Sequence, residues 1–329
     1  MSVFTPVSLD EARAFIAPYQ IGEIIDFQDI AAGAENSNFF VTTSLGRYVL
    51  TIFEKHPRED LDFYLGLMQH VHQAGIPSAK PMQTADGTML HTLKGKPAAV
   101  VARLSGNDIA HPSVADCAAI GQALANLHQA TRDFKPKMPN WRGFSWWQQY
   151  AADLKGHLPA ADNKLIFDEL LYQAGFNALP LPRGIIHADL FRDNVLWGET
   201  GEHAGHTPQM IDFYFACEEF LLFDLAVAVN DWCLDLPKYP VATLDATRAR
   251  ALIAGYASVR PLTPNERAAW PQVLRAAVLR FWLGRLGYHY FPRDSALTHP
   301  RDHGFLERLL RHHIAETQSL AALLPAPAL

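Results

Sequence analysis

The chain has 329 residues, of which 49% are hydrophobic, and a formal net charge of −6 at pH 7. A chain of this size and composition can bury a large core, which excludes a disordered or fibrous protein and favours two domains or lobes. Its 28 basic residues form no continuous stripe, so we expect no nucleic-acid partner. Without a membrane-length apolar run or a secretion signal, the sequence predicts a cytoplasmic protein with no membrane association.

The first part of the chain has the residue pattern of strands. Phe39–Thr42 and Tyr48–Phe53 are rich in β-branched and aromatic residues, and the short link between them predicts a hairpin. The apolar residues between positions 61 and 71 then recur at spacings of four and three, which predicts a helix. Gly75 is placed to end that helix.

A second strand pair is predicted at Met82–His91 and Pro97–Ala102. The order hairpin, helix and strands describes a small, mainly antiparallel α+β lobe. Strand texture stops at Arg103–Asn107, where a glycine permits a bend. We therefore predict an N-lobe of residues 1–104, which binds the nucleotide, and a C-lobe of residues 105–329, which holds the catalytic loop and the acceptor-binding helices.

Helical patterns dominate the second part of the chain. A helix is predicted over Ser113–Thr131, and Thr263–Glu266 is a capping box with proline at the first helical position. The exception is the stretch 184–212, in which short apolar strands at Ile185–Ile186 and Val195–Trp197 flank a polar loop. This stretch carries the residues that predict a chemical function.

Asp189, Asn194 and Asp212 lie at the mouths of these short strands, so we expect their side chains to converge. Phosphoryl transfer needs a carboxylate that takes the proton of the acceptor hydroxyl, and oxygen ligands for the Mg²⁺ of MgATP. Asp189 suits the first role, and Asn194 and Asp212 suit the second, because an asparagine five residues after the aspartate matches the kinase catalytic loop. His187 is the second predicted catalytic residue. In a purely structural interpretation, His187 is a buried core histidine and Asp212 caps a strand end.

The segment His187–Asn194, together with Asp212, resembles the signature of the aminoglycoside phosphotransferase and choline kinase superfamily. Gly121–His128 is similar to the family helix that ends in Leu-His, and Phe223–Ala226 to its Asp-Leu-Ala motif. The resemblance implies a two-lobed, protein-kinase-like α+β fold with a small, mainly antiparallel β N-lobe and a larger, mainly α C-lobe. It also implies that Asp224 braces the catalytic loop through backbone N–H groups, although a helix N-cap is an equally good interpretation.

Within the superfamily, longer strings resemble bacterial homoserine kinases of the phosphotransferase type. That resemblance implies ATP-dependent phosphorylation of L-homoserine to O-phospho-L-homoserine, a step towards threonine, and we expect a monomer or a homodimer. The alternatives are a phosphotransferase for a cationic acceptor, such as choline or an aminoglycoside, and an inactive nucleotide sensor. The strings are Ala34–Phe40, Tyr48–Thr51, His187–Asn194, Ile211–Tyr214 and Asn230–Cys233.

The predicted nucleotide site departs from the superfamily pattern in one respect. Thr51 stands where the superfamily generally carries a lysine or arginine that holds the phosphates. Strand alternation places Lys55 on the same face as Thr51. A small polar turn with a single glycine can offer N–H groups to the phosphates, and the strand that joins the lobes can bind adenine. The predicted nucleotide contacts are Gly33, Asn36, Ser37, Asn38, Thr51, Ala102 and Leu104.

An amino-acid acceptor requires a cation for its carboxylate and an acid or carbonyl for its ammonium group, and the planar fork of arginine suits the first task. Arg192 in the catalytic loop and Arg280 and Arg285 on a C-terminal helix are the predicted carboxylate ligands. Asp231 is predicted to receive the ammonium group, and its neighbour Trp232 is a further predicted acceptor contact. Taken singly, each of these residues is more often a surface or packing residue.

Overall fold

The computed structural model describes residues 4–30, 36–198, 207–235, 241–291 and 302–325. Its N-lobe is a five-stranded antiparallel sheet with the strand order β1-β2-β3-β5-β4. One helix precedes the sheet and another connects β3 to β4. The elements are α1 (Leu9–Ile16), β1 (Ile24–Asp29), β2 (Ser37–Thr43), β3 (Gly46–Ile52), α2 (Arg58–Gln73), β4 (Leu90–Leu93) and β5 (Lys96–Ala102).

The N-lobe confirms the predicted hairpin and helix, but one predicted strand is too long. Strand β4 begins at Leu90 rather than at Met82, because the preceding residues fold into a turn. In that turn Thr84 N–H donates to the Thr88 carbonyl, and Gly87 adopts a φ of +84°. Successive side chains in a turn do not point to opposite faces as they do in a strand. The apolar residues of this segment therefore do not indicate a strand.

The C-lobe consists of helices around two small antiparallel sheets, one made of β6 and β9 and the other of β7 and β8. The predicted fold class is thereby confirmed, as is the capping box of Thr263. The helix predicted over Ser113–Thr131 is also present, and Ser113 forms a capping box at its start. The elements are α3 (Val114–Ala130), α4 (Phe144–Leu154), α5 (Ala160–Tyr172), β6 (Arg183–Ile186), β7 (Val195–Gly198), β8 (Thr207–Met210), β9 (Cys217–Phe220), α6 (Leu221–Trp232), α7 (Ala246–Val259), α8 (Pro264–Tyr290), α9 (His303–Ala315) and α10 (Thr317–Ala321).

Helix α6 runs through the middle of the C-lobe, and nearly all of its residues are buried. It begins at Leu221, three residues before Asp224. The catalytic loop between β6 and β7 packs against it. The division of the chain at residue 104 remains a prediction, since β5 ends at Ala102 and the next helix begins at Val114. None of the helices in the described ranges combines the length and apolar character that crossing a bilayer requires.

Two glycines allow the backbones of α3 and α7 to touch. A Cβ atom at Gly121 would lie 2.0 Å from the Leu252 carbonyl oxygen, and one at Gly255 would lie 2.2 Å from the Ala118 oxygen. Both distances are far below van der Waals contact, and the clashing atoms belong to backbone. The helix that carries His128 is therefore held against α7 at a separation that only glycine permits.

We predict that Gly255→Ala lowers the free energy of unfolding by about 1–3 kcal/mol, because overpacking must push the two helices apart. The matched control is Gly284→Ala on α8, where a Cβ atom would meet nothing within 4 Å. This control should leave stability unchanged or raise it by up to about 1 kcal/mol through helix propensity. Urea denaturation measures both, and equal stability of the two variants would contradict the close helix contact.

Candidate active site

The catalytic loop, residues 187–194, is anchored by a buried carboxylate. Asp224 accepts hydrogen bonds from the backbone N–H groups of His187 and Ala188, both at 2.8 Å. Ala188 has a φ of +64°, a left-handed conformation that costs an alanine about 1–2 kcal/mol. The two hydrogen bonds hold the loop in that conformation. Because the N-cap of α6 is Phe220, Asp224 does not cap its own helix.

A histidine completes the hydrogen bonding of this carboxylate. His128 Nε2 donates to Asp224 Oδ2 at 3.0 Å, and both side chains are fully buried. Burial favours the neutral acid, but the hydrogen bond and charge of His128 outweigh it and hold the pKa of Asp224 below its usual value. His128 Nδ1 lies 2.7 Å from the Tyr256 hydroxyl, which also accepts from Arg260. Asp224 is thus ionised within a connected polar network.

Asp189 is partly buried in the loop and is fixed by Asn194. The amide nitrogen of Asn194 donates to the Asp189 backbone carbonyl at 2.8 Å and to its Oδ2 at 3.0 Å. Exclusion from water raises the pKa of Asp189 to about 7, a change that nearby Arg280 opposes and the charge of Asp212 reinforces. Arg280 Nη1 is 3.9 Å from Asp189 Oδ1. Such a carboxylate can take up a proton near neutral pH.

Asp212 and Asn194 are brought together by the backbone. The Asn194 carbonyl accepts from the Ile211 N–H at 3.0 Å, so the residue before Asp212 is tied to the loop. Asp212 is exposed and has a φ of +62°, a strained conformation of the kind found at functional sites. Since the Asn194 amide nitrogen serves Asp189, its amide oxygen is the atom that can ligate a cation.

These two oxygen donors suit Mg²⁺, which is usually held by one or two protein ligands together with phosphate oxygens and water. Across the described ranges, no group of three or more His, Cys, Asp or Glu side chains could form a metal site by itself. The donor set therefore fits a cation that arrives with a nucleotide better than a permanently bound metal.

The prediction of a catalytic role for His187 is wrong, because its side chain is fully buried and cannot touch a substrate. Its Nε2–H donates to the Ile211 carbonyl at 3.0 Å, and its ring packs on Phe213 at a centroid distance of 4.7 Å. Burial lowers the pKa of His187, which keeps the ring neutral. His187 is a positioning residue that joins the catalytic loop to the segment bearing Asp212.

Comparison with known proteins agrees with this geometry. The profile of the phosphotransferase enzyme family matches residues 26–262. The chain belongs to the phosphotransferase enzyme family. It is 45% identical to a homoserine kinase of Methylobacillus flagellatus over 323 residues, 98% of each chain, and 44% identical to one of Burkholderia lata over 327 residues, 97% of this chain and 98% of the relative.

Solved structures of similar fold come from the same group of kinases. An amicoumacin kinase in complex with AMP-PNP and Ca²⁺ has a TM-score of 0.69 at 16% identity and covers 97% of this chain and 96% of its own. A choline kinase from Cryptosporidium parvum has a TM-score of 0.63 at 15% identity, with 91% of each chain covered. At these identities the likeness shows the fold, and it confirms the predicted two-lobed architecture.

The residues predicted to bind phosphate differ in how far the structure exposes them. Ser37 is buried on the far side of the sheet, where its Oγ accepts from Phe4 and Thr5 N–H groups and donates to Glu54 at 2.6 Å. Its predicted phosphate contact is therefore wrong. Asn36 is partly exposed in the turn, and Gly33 lies outside the described residues.

Thr51 and Asn38 form a neutral pair at the position of the usual phosphate-binding lysine. The Thr51 hydroxyl donates to Asn38 Oδ1 at 2.8 Å across β2 and β3. At the connection between the lobes, the Ala102 N–H donates to the Lys80 carbonyl at 2.8 Å, which removes that donor from adenine recognition. Leu104 is partly buried just beyond β5.

Three of the residues predicted to bind the acceptor make hydrogen bonds or ion pairs with other residues of the chain. Arg192 Nε is paired with Asp231 at 3.0 Å, and its backbone N–H donates to the same carboxylate at 2.9 Å. Arg192 Nη1 also donates to the Ala110 carbonyl at 2.7 Å. Trp232 is fully buried, with its indole N–H bound to the Leu190 carbonyl at 3.0 Å. The predicted acceptor contact of Trp232 is wrong, because its side chain is fully buried. Those of Arg192 and Asp231 remain predictions, since both side chains are partly exposed while they brace the loop.

The two arginines predicted on the C-terminal helix point in different directions. They lie five residues apart on α8, which places them ~140° apart around the helix axis. Arg280 reaches Asp189, whereas Arg285 is directed elsewhere and does not line the neighbouring cavity. Of the predicted acceptor residues, Arg280 is the one that the structure brings to the catalytic carboxylate.

A cavity of about 640 Å³ lies between the start of α2, the segment before α4 and the end of α8. One of its lining residues, Arg142, was missed by the sequence reasoning. The available signal was the cluster Trp141-Arg142 with Trp146, in which a cation stands among large aromatic residues. Other residues that line the cavity are Lys55, Asp60, Tyr150, Gly284 and Gly287.

We predict that Asp212→Asn preserves the fold, because asparagine tolerates positive φ, but weakens Mg²⁺-dependent nucleotide binding by about tenfold or more. Asp193→Asn is the matched control, since it removes an exposed carboxylate from the same loop. Calorimetric titration with ATP, with and without Mg²⁺, measures the effect, and melting curves check the fold. Equal loss of Mg²⁺ dependence in both variants would mean that loop charge, and not Asp212 itself, is responsible.

Proposed function

We propose that the chain is an ATP-dependent homoserine kinase that converts L-homoserine to O-phospho-L-homoserine, a step towards threonine. The observation that carries this proposal is 45% identity to a homoserine kinase over 98% of both chains. The arrangement of Asp189, Asn194 and Asp212 supports it, because phosphoryl transfer requires a carboxylate for the acceptor hydroxyl and oxygen ligands for the metal. An inactive nucleotide sensor would have no need of all three.

In the proposed reaction, the hydroxyl oxygen of homoserine attacks the γ-phosphorus of ATP, the bond to the β-phosphate oxygen breaks, and ADP leaves. The hydroxyl proton passes to Asp189, whose carboxylate Asn194 orients. The neighbouring Arg280 favours the ionised form of Asp189 and adds positive charge beside the transferred phosphoryl group. A proton acceptor with a pKa of about 7 is well matched to a reaction at neutral pH.

Asn194 and Asp212 are proposed to hold Mg²⁺, which when bound neutralises charge on the ATP phosphates. The amicoumacin kinase of similar fold was solved with AMP-PNP and Ca²⁺, which supports nucleotide and divalent-cation use in this fold. The turn around residues 36–38 is proposed to meet the phosphates. Because Thr51 and Asn38 are neutral, we propose that the exposed Lys55 at the cavity edge supplies positive charge in place of the missing lysine.

We predict that L-homoserine is used far better than L-serine, choline or an aminoglycoside. Serine is one methylene shorter, so its hydroxyl should miss the in-line position by more than the ~1 Å that can cost about 10²-fold in rate. The measurement is kcat/KM for each acceptor at saturating MgATP with coupled detection of ADP. Preference for choline or an aminoglycoside would reject homoserine as the acceptor while leaving a phosphotransferase.

A further inference from the structure

We propose that Arg142 binds the carboxylate of the acceptor and so selects an amino acid over a cationic or neutral alcohol. This inference rests on the proposed function and deepens it, because it names the residue that recognises the acceptor. Arg142 belongs to neither the catalytic loop nor any motif of the sequence analysis. It lines the cavity between the start of α2, the segment before α4 and the end of α8.

The cavity shares one face of α8 with Arg280. Arg280, Gly284 and Gly287 are spaced i, i+4 and i+7, so they lie on that face. The two glycines line the cavity, and Arg280 lies 3.9 Å from Asp189. Gly284 leaves open space on this face, because a Cβ atom there would meet nothing within 4 Å, whereas the space beside Gly287 is taken by the Tyr150 hydroxyl.

Arg142 is held among aromatic rings. Its guanidinium carbon lies 4.3 Å from the ring centroid of Trp141, 4.5 Å from that of Phe215 and 5.8 Å from that of Trp146. Aromatic surroundings of this kind bind quaternary ammonium ligands such as choline. In this chain the guanidinium group of Arg142 occupies these aromatic surroundings. A choline-like acceptor would therefore find the position filled and would be repelled by the positive charge of Arg142.

A carboxylate on the acceptor would instead be attracted by the positive charge of Arg142. A guanidinium group is a planar fork with five N–H donors that can bind both oxygens of a carboxylate. Asp60 lines the same cavity and supplies a charge of opposite sign for the ammonium group. The lining thus contains the complementary charges that the zwitterion of an amino acid requires.

The backbone of Arg142 is fixed relative to the catalytic loop. Its N–H donates to Asn140 Oδ1 at 3.0 Å, and its carbonyl accepts from the Trp147 indole at 2.7 Å. Asn140 in turn donates to Glu219 of β9 at 3.2 Å. Strand β9 pairs with β6, which leads directly into the catalytic loop. Hydrogen bonds therefore fix the distance between the proposed carboxylate site and Asp189. A fixed distance is required if the enzyme selects its acceptor by chain length.

A second contact links the two sites. Phe215, three residues after Asp212, lies under both arginines, with the guanidinium carbon of Arg280 at 5.5 Å from its centroid. The positive charge of Arg142 also acts to lower the pKa of Asp189, behind the larger effects of burial, Arg280 and nearby carboxylates. Phe215 therefore connects the proposed carboxylate site with the arginine that lies beside Asp189.

The experiment compares L-homoserine with 3-aminopropan-1-ol, which is homoserine without its carboxylate. In Arg142→Met, kcat/KM for homoserine should fall about 10- to 100-fold, chiefly through KM, because a charged hydrogen-bonding partner is lost. The value for 3-aminopropan-1-ol should change by less than about threefold, so discrimination between the two acceptors collapses. Arg142→Lys should restore part of it, and Arg132→Met, at an exposed site, should change neither acceptor.

The results separate the possible failures. Equal losses for both acceptors in Arg142→Met would assign the residue a structural role and overturn this proposal, as would unchanged discrimination. A wild-type protein that leaves L-homoserine unphosphorylated would overturn the proposed function together with this inference. If Arg142→Met fails to fold, Gly284→Leu provides a second test, since its side chain would project into the cavity. That variant should raise KM for homoserine, whereas an unchanged KM would show that the acceptor binds elsewhere.

Discussion

The active site depends on one buried carboxylate. The fully buried side chain of Asp224 accepts hydrogen bonds from the backbone N–H groups of His187 and Ala188 and from the ring of His128. A buried charge is costly unless it is hydrogen-bonded, and here three donors from two different elements satisfy it. The same bonds hold Ala188 in a left-handed conformation, from which the chain turns Asp189 towards the cleft. Helix α6, helix α3 and the catalytic loop are thereby joined at one point.

Asp189 has both acidic and basic neighbours, which act on its pKa in opposite directions. Asp193 and Asp212 raise its pKa, whereas Arg280 and Arg142 lower it, and burial is the largest influence. Clustered carboxylates that resist ionisation favour the binding of a cation. The two oxygen donors proposed here for Mg²⁺ match the small number of protein ligands it has when it also binds phosphates. The Arg192–Asp231 pair lies on the other side of the loop and fixes its backbone.

Much of the site could be predicted from sequence, because a catalytic loop is local in the chain. The spacing of Asp189 and Asn194 and the capping residues of α3 and α8 are patterns of a few neighbouring residues. Ser37 could also have been placed correctly, since strand alternation puts it on the opposite face from Asn38. The pairing of Arg192 with Asp231, the burial of Trp232 and the position of Arg142 could not, because each depends on contacts between distant segments.

We infer that this chain is a kinase whose acceptor is an amino acid with a side-chain hydroxyl. The most direct test is ³¹P NMR of a reaction that contains the protein, MgATP and L-homoserine, with the Asp189→Asn variant in parallel. We expect a phosphomonoester signal that matches O-phospho-L-homoserine, with ADP in equal amount, and a rate lower by roughly 10²–10⁴-fold in the variant. ATP consumption that yields only inorganic phosphate, or undiminished transfer by Asp189→Asn, would contradict this inference.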